Sequence, residues 1–184
     1  VSMLSQSRAR ILIASADLES VARRIVARTP SLERLLVIDA DGEGADRLET
    51  LLEGETGDGV VWGDFAETTP SGLCFTSGTT GAPKGVTYTH RSSYLHTLRL
   101  LQADVMGITG SDSVLAAVPM FHANAWGLPF AAPATGARLV LPGRWLDGAS
   151  LAGLINSEGV TLAVGIATVW LGLVEHLDAH GGDT

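Results

Sequence analysis

Cysteine, positive charge and long apolar runs are all scarce in this chain of 184 residues. The single cysteine, Cys74, excludes an internal disulfide and favours a reducing compartment. Twelve Lys and Arg residues stand against 20 Asp and Glu residues, giving a net charge of −8 with the basic residues scattered. This balance argues against a nucleic-acid surface, which needs clustered positive charge.

The longest nearly apolar run covers residues 159–174, which is shorter than the roughly 18 residues that a membrane-spanning helix needs. This run divides into a strand at 160–166 and a helix from Thr168 onward. The first ten residues lack the apolar core of a secretory signal. We therefore expect a soluble, cytoplasmic protein without a transmembrane segment.

Apolar runs alternate with helical patterns along most of the chain. The runs predict strands at 10–15, 35–39, 85–90, 113–118, 137–142 and 160–166. Helical spacing predicts helices over 18–28, 91–105, 125–132 and 147–158 and after 168, with Asp17 as the first N-cap. The acidic, glycine-rich stretch 39–59 is predicted to be a surface connection. Such alternation predicts an α/β fold, a mostly parallel sheet flanked by helices.

Residues 73–85, LCFTSGTTGAPKG, combine backbone freedom, hydroxyl groups and one positive charge. Leu73 to Phe75 predict a strand that leads into a glycine-rich turn. Glycines allow backbone amides to approach a ligand closely, hydroxyls add donors, and Lys84 adds a mobile charge. A polyphosphate requires all three contributions. The alternative is a flexible surface turn whose hydroxyls bond their own backbone.

The spacing excludes several better-known motifs. A Walker A loop requires Gly-Lys-Ser/Thr, whereas Pro83 precedes Lys84 and Gly85 follows it. No G-x-G-x-x-G sequence opens a helix, which disfavours a dinucleotide fold. Ser77 does not lie in a G-x-S-x-G elbow, so a serine hydrolase is disfavoured.

Residues 73–85 resemble the signature phosphate loop of the adenylate-forming superfamily, which includes acyl-CoA synthetases, luciferases and nonribosomal adenylation domains. Residues 119–143, PMFHANAWGLPFAAPATGARLVLPG, resemble the acyl-binding segment of its medium- and long-chain fatty acyl-CoA ligase branch. Residues 160–177 resemble a further segment of that branch, except that Ile166-Ala167 stands where Val-Pro is usual. The resemblance implies that residues 1–184 form part of the large AMP-binding N-terminal domain, without the C-terminal domain.

The resemblance also implies an activity. A fatty acid attacks the α-phosphate of ATP to give acyl-adenylate and pyrophosphate, and coenzyme A then displaces AMP. Because an anion approaches a polyanion, Mg²⁺ and fixed donors must offset the phosphate charge. Thr76 is the implied Mg²⁺ contact. The residues implied to bind the β- and γ-phosphates are Thr76, Ser77, Gly78, Thr79, Thr80, Gly81 and Lys84.

Two further residues acquire roles from the resemblance. His122 matches the histidine beside the acyl-adenylate, where it donates to a carboxylate or α-phosphate oxygen; the alternative is a structural histidine. Trp126 matches the aromatic residue that gates the fatty-acid tunnel, and a core tryptophan is the alternative. The other histidines have no implied role and are predicted to be surface or capping residues: His90, His96, His176 and His180.

The chain is short for this family and lacks its later motifs, including Y-G-x-T-E and the T-G-D aspartate. Two alternatives to a CoA ligase therefore stay open: a non-catalytic remnant that only binds ligand, and a fatty acyl-AMP ligase that feeds a carrier protein. We expect the 184 residues alone to be inactive. Uncovered sheet edges and apolar helix faces also predict self-association, for example as a homodimer.

Overall fold

Strands and helices alternate in two structural units of the chain, and the computed structural model describes residues 2–41, 44, 46–76 and 81–182. The first unit comprises Val1–Ala66 and Phe75–Gly85, and the second comprises Glu67–Cys74 and Val86–Thr184. The strands are β1 Ile11–Ser15, β2 Arg34–Ile38, β3 Pro70–Thr76, β4 Lys84–Thr89, β5 Ser113–Ala117, β6 Arg138–Val140 and β7 Leu162–Gly165. The helices are α1 Ser2–Ser7, α2 Glu19–Val26, α3 Leu48–Leu52, α4 His90–Leu100, α5 Leu128–Thr135, α6 Gly148–Glu158 and α7 Ala167–His180.

The first unit contains a β-α-β arrangement. Strands β1 and β2 pair in parallel, with Ile11 opposite Arg34 and Ser15 opposite Ile38. Helix α2 connects them and buries Ala22 in a cluster with residues of β2. The predicted strands and their parallel pairing are therefore confirmed in this unit.

The start of α2 differs from the sequence prediction. Asp17 lies in a short 3-10 turn, Ala16–Leu18, and α2 begins after it with Leu18 as its N-cap and no capping side chain. The Asp17 carboxylate instead accepts a hydrogen bond from the Ser15 hydroxyl at 2.5 Å. The prediction of Asp17 as the N-cap was wrong, because the intervening turn moves the cap beyond it.

The second unit contains a three-stranded parallel sheet in the order β6-β5-β7. Every residue of the central strand β5 is buried. Val114 and Ala116 face a cluster that includes residues of α4 and α5. Leu115 and Ala117 face the opposite cluster, which includes residues of α6 and α7. Helices therefore cover both faces, as expected of an apolar strand in a parallel sheet, and the predicted α/β class is confirmed.

Strands β3 and β4 form a separate two-stranded sheet. The Ser71 hydroxyl donates to the Tyr88 carbonyl and the Thr76 hydroxyl donates to the Lys84 carbonyl, so the two strands run in opposite directions. Helix α4 begins directly after β4 with a capping box between Thr89 and Ser92. This hairpin is an exception to the predicted parallel pairing, because only seven residues separate its strands.

The turn between β7 and α7 is stabilised by a side chain rather than by proline. Ile166 is the N-cap and Ala167 begins the helix, at the positions where the resemblance expects Val-Pro. The Trp170 indole nitrogen donates to the Gly165 carbonyl at 3.2 Å. A Cβ at Gly165 would lie 2.7 Å from the Trp170 ring, so the glycine makes room for this contact.

Helices α6 and α7 approach closely at Gly148, and this contact yields a stability prediction. A Cβ at Gly148 would lie 2.3 Å from the Gly172 carbonyl oxygen. We expect Gly148→Ala to lower the free energy of unfolding by about 1–3 kcal/mol through overpacking. Gly153→Ala in the same helix is the matched control, because nothing lies within 4 Å of its added Cβ. It should be neutral or stabilising by up to about 1 kcal/mol in urea unfolding. Equal effects of the two substitutions would contradict the close contact.

A second prediction concerns Asp112, whose carboxylate links the segment before β5 to the segment before β7. It accepts hydrogen bonds from the Thr109 backbone and hydroxyl and from the Thr161 hydroxyl, each at 2.8 Å. These hydrogen bonds lower the pKa of Asp112 below its ordinary value of 3.8, and the bond from the Thr109 backbone has the largest effect.

Because its pKa is lower in the folded state, the Asp112 carboxylate stabilises the fold above its unfolded pKa of 3.8 and loses this effect as the pH falls through the folded pKa. Asp112→Asn should therefore be less stable near neutral pH and should lose less stability on acidification. Urea unfolding at a series of pH values measures both effects. Parallel stability curves for the two proteins would show that Asp112 contributes nothing.

Candidate active site

The predicted phosphate loop, residues 73–85, joins the end of β3 to the start of β4, and the structure describes its residues 73–76 and 81–85. Thr76 closes β3 and Lys84 opens β4, and the Thr76 hydroxyl lies 3.4 Å from the Lys84 carbonyl oxygen. Gly81 has a φ of 112°, a conformation that favours glycine. The other predicted phosphate contacts lie outside the described residues: Ser77, Gly78, Thr79 and Thr80. Of the predicted set, the structure thus brings Thr76 and Lys84 together.

The chemistry at these two residues suits an anion. Thr76 and Lys84 are exposed, and among the residues that the structure describes no ion pair involves Lys84. Its positive charge is therefore not offset by a described carboxylate. The Thr76 hydroxyl donates to a carbonyl, which leaves its oxygen lone pairs free to accept a hydrogen bond or ligate a hard cation.

In the second unit, the segment after β5 leaves the carboxyl end of the parallel sheet. Helix α5 follows β5 on one face of the sheet, and α7 follows β7 on the other. Ligands of open α/β sheets bind where neighbouring strands lead to opposite faces. His122 lies in this segment with an exposed side chain. Its backbone N–H donates to the Pro119 carbonyl at 3.1 Å.

His122 leads into a left-handed turn, Ala123–Gly127, in which every φ is positive. The φ values are 47° at Ala123, 52° at Asn124, 47° at Ala125 and 54° at Trp126, followed by 85° at Gly127. Each left-handed non-glycine residue costs about 1–2 kcal/mol, with asparagine the best tolerated. Four such residues in succession persist only where surrounding contacts hold them. The sequence predicted a short right-handed helix beginning near 125, whereas α5 begins at Leu128.

Contacts from α4, β3 and the core hold this turn. Nε2 of His96 lies 3.0 Å from the Trp126 carbonyl oxygen, and the Cys74 thiol donates to Oδ1 of Asn124 at 3.2 Å. Ala125 is fully buried in the cluster between the sheet and α5. The turn is therefore fastened at three successive residues.

The turn forms one wall of a cleft of about 370 Å³ in the second unit. Its lining surface is mainly apolar, and its polar groups are three hydroxyls, one imidazole and one carboxamide. The lining residues are Tyr88, Ser92, Ser93, His96, Ala123, Asn124, Trp126, Gly127 and Phe130. Trp126 is half-buried, so it both lines the cleft and packs on the core. Pockets of this size and character accommodate small organic ligands.

A second cleft of about 360 Å³ lies at the carboxyl ends of β5 and β6. Its wall includes residues 116–121, and Phe121 in it is 79% exposed. His122 thus follows a residue that lines the second cleft and precedes Ala123, which lines the first. The His122 imidazole therefore lies in the chain between residues that line two different clefts.

Sequence reasoning missed part of the cleft. His96 was predicted to be a surface or capping residue, and it is exposed. The prediction missed that it also lines the cleft and donates to the Trp126 carbonyl. Tyr88, Asn124 and Phe130 received no role. The spacing of Ser92, Ser93 and His96 places the three on one side of α4, and this pattern could have indicated a polar wall.

Comparisons with known proteins identify the family of the chain. The family model described as AMP-binding enzyme matches residues 1–183. A medium-chain-fatty-acid–CoA ligase of Ectopseudomonas oleovorans is 52% identical over 130 residues, 71% of this chain and 24% of that protein. A 3-methylmercaptopropionyl-CoA ligase of Ruegeria pomeroyi is 42% identical over 187 residues, 98% of this chain and 35% of that protein. A long-chain-fatty-acid–CoA ligase of Thermus thermophilus is 39% identical and covers 97% of this chain.

A solved structure agrees as well. A long-chain-fatty-acid-CoA ligase from Archaeoglobus fulgidus has a TM-score of 0.78 at 26% identity, covering 96% of this chain and 34% of that one. The chain spans about a quarter to a third of the length of the curated relatives named above. The resemblance to adenylate-forming enzymes is confirmed, and the chain belongs to the AMP-binding enzyme family.

Proposed function

We propose that the full-length protein is an AMP-forming fatty acid–CoA ligase. The observation that carries the proposal is the apolar cleft of about 370 Å³ lined by the residues that follow His122, in a segment that resembles the acyl-binding region of such ligases. Relatives named as CoA ligases for medium-chain, long-chain and 3-methylmercaptopropionyl groups support this class of substrate. Each of these names denotes a carboxylic acid joined to coenzyme A.

The proposed reaction has two steps. A carboxylate oxygen of the fatty acid forms a bond to the α-phosphorus of ATP, and the bond to the bridging oxygen breaks to release pyrophosphate. The thiol of coenzyme A then forms a bond to the acyl carbonyl carbon, and AMP leaves. Splitting one difficult exchange into two displacements provides a good leaving group for each.

Residues 76–84 are proposed to bind the β- and γ-phosphates. The charge of Lys84, which forms no ion pair with a described residue, and the donors of Thr76, Ser77, Thr79 and Thr80 would offset charge that accumulates on the departing pyrophosphate. Gly78 and Gly81 would let the backbone approach the phosphates, and φ of 112° at Gly81 agrees with this.

Magnesium is proposed to arrive with the nucleotide. The described residues contain no group of three or more His, Cys, Asp or Glu side chains that could hold a metal ion. Mg²⁺ commonly keeps several waters and binds substrate phosphates with few protein ligands. The Thr76 hydroxyl, with free lone pairs, fits one such ligand. When bound, the ion would supply neutralisation of phosphate charge.

His122 and Trp126 are proposed to act on the acyl side. The exposed imidazole of His122 would donate a hydrogen bond to the carboxylate or an α-phosphate oxygen, which orients the reacting group. Trp126 would gate the apolar cleft for a medium or long chain. A fatty acyl-AMP ligase feeding a carrier protein, and a remnant that binds ligand without turnover, remain the alternatives.

Location and association are also proposals. A single cysteine supports a cytoplasmic location, and the described helices include none both long and apolar enough to cross a membrane. Exposed apolar side chains support self-association; they include Phe121, Trp145, Leu171 and Val174.

The phosphate assignment predicts a large loss of activity on substitution. Lys84→Ala combined with Thr79→Ala and Thr80→Ala in the full-length protein should lower octanoate-dependent pyrophosphate exchange by about 10²–10³-fold, because transition-state charge loses its donors. Arg24→Ala, which removes an exposed positive charge elsewhere, is the control and should retain activity. Undiminished exchange by the triple variant would refute the assignment. Tetradecanoate and 3-methylmercaptopropionate in the same assay would define the preferred acid.

The length of the chain yields another prediction. We expect the 184 residues expressed alone to show no fatty-acid-dependent pyrophosphate exchange, because they span about a third of the ligases that match over almost the whole chain. The full-length protein is the positive control in the same assay. Robust exchange by the 184 residues alone would contradict this expectation.

A further inference from the structure

Two side chains without an assigned role, those of His96 and Asn124, link the left-handed turn to other elements. His96 reaches it from α4, with Nε2 at 3.0 Å from the Trp126 carbonyl oxygen. A carbonyl oxygen only accepts hydrogen bonds, so this ring nitrogen carries the proton and donates it. Asn124 lies within the turn itself and accepts from the Cys74 thiol of β3 at 3.2 Å. The turn is thus joined to α4 and to β3 by side-chain contacts.

The backbone of the turn packs so closely against α4 at Gly127 that no side chain fits there. A Cβ at Gly127 would lie 2.5 Å from Cδ2 of His96 and 3.1 Å from a methyl carbon of Leu100. Gly127 therefore provides the close approach that brings the His96 imidazole to the Trp126 carbonyl. The same approach places the imidazole in the wall of the cleft.

The residue type at position 124 also suits this conformation. Asparagine adopts left-handed backbone more readily than other residues with a side chain, whereas a β-branched residue there is an outlier. Its side chain accepts the thiol hydrogen bond at the same time. One residue therefore supplies both conformational tolerance and a tether.

We propose that His96 and Asn124 are positioning residues that hold the left-handed turn and so set the width of the apolar cleft, which determines the acyl chains that are activated. The consequence for substrates rests on the proposed ligase function. The physical step is that the backbone of Ala123–Gly127 and the indole of Trp126 form one wall. Release of either tether lets the strained backbone relax and moves that wall.

The first experiment measures the turn directly, without catalysis. Hydrogen–deuterium exchange of the backbone amides of residues 120–128 is followed in the full-length protein. His96→Ala should speed exchange within 123–127 by about tenfold, because local opening becomes easier. His96→Gln keeps a donor to the carbonyl and should restore slow exchange. His180→Ala, at an exposed histidine near the end of α7, is the matched control and should leave these amides unchanged.

The second experiment measures the consequence for substrates. Pyrophosphate exchange is compared for butanoate, octanoate and tetradecanoate. His96→Ala should raise KM for the preferred acid by about tenfold and reduce the preference among the three, since a misplaced wall no longer matches one chain length. KM for ATP should change by less than about twofold, because the substitution lies in the proposed acyl cleft and removes none of the proposed contacts to ATP.

Asn124 provides an independent series that does not depend on His96. Asn124→Gly keeps access to left-handed backbone but loses the tether, whereas Asn124→Val loses both. Exchange at 123–127 and KM for the acid should therefore rise further for the valine variant than for the glycine variant. Equal effects would show that the left-handed conformation is not what the residue maintains.

The outcomes separate the two proposals. Unchanged amide exchange in His96→Ala and Asn124→Val overturns the positioning role. Faster amide exchange with an unchanged preference among the three acids also overturns the proposal, since the turn then does not determine the width of the cleft. If the unaltered full-length protein activates no acid with ATP, the proposed ligase function fails, and the amide exchange alone decides whether the two residues hold the turn.

Discussion

The burial of β5 on both faces is the constraint from which the second unit follows. Its last four residues, 114–117, alternate between two clusters, one with α4 and α5 and the other with α6 and α7. A parallel strand buried in this way needs helical crossovers on each face. At the carboxyl end of the sheet, the connection after β5 leads to one face and the connection after β7 leads to the other. His122 lies in the connection after β5. Burial of an apolar strand thereby determines where the polar side chain of His122 reaches the surface.

The left-handed turn after His122 shows how packing maintains an unfavourable backbone. Residues 123–126 are not glycine, and isolated chains rarely adopt such a run. The core takes up Ala125, while hydrogen bonds from His96 and Cys74 fasten Trp126 and Asn124. The strain is concentrated in the wall of a cleft, in keeping with the tendency of strained backbone to occur at functional sites.

Local patterns predicted much of the fold. The strands of both parallel sheets and the helices after β4 and β6 follow from short-range periodicity, because burial imposes spacing directly on residue type. The predicted cap at Asp17 was wrong, because a 3-10 turn competes with helix initiation there. The left-handed turn was missed as well, since Ala, Asn and Trp do not indicate positive φ without their surroundings. The candidate site residues Thr76 and Lys84 were predicted from a contiguous motif, whereas His96 belongs to a cleft wall formed by segments distant in sequence.

The sequence by itself determined the α/β class, and it carries the motifs that predict a phosphate loop and a role for His122, because these depend on neighbours close along the chain. Tertiary structure alone decided that His96 meets the Trp126 carbonyl, that Cys74 meets Asn124 across 50 residues, and that a cleft lies beside them. The physical reason is that the unfavourable left-handed backbone of residues 123–126 is stabilised by contacts from α4 and β3, which are distant in sequence. Such contacts depend on how buried surfaces fit together, which no local pattern of residue types records.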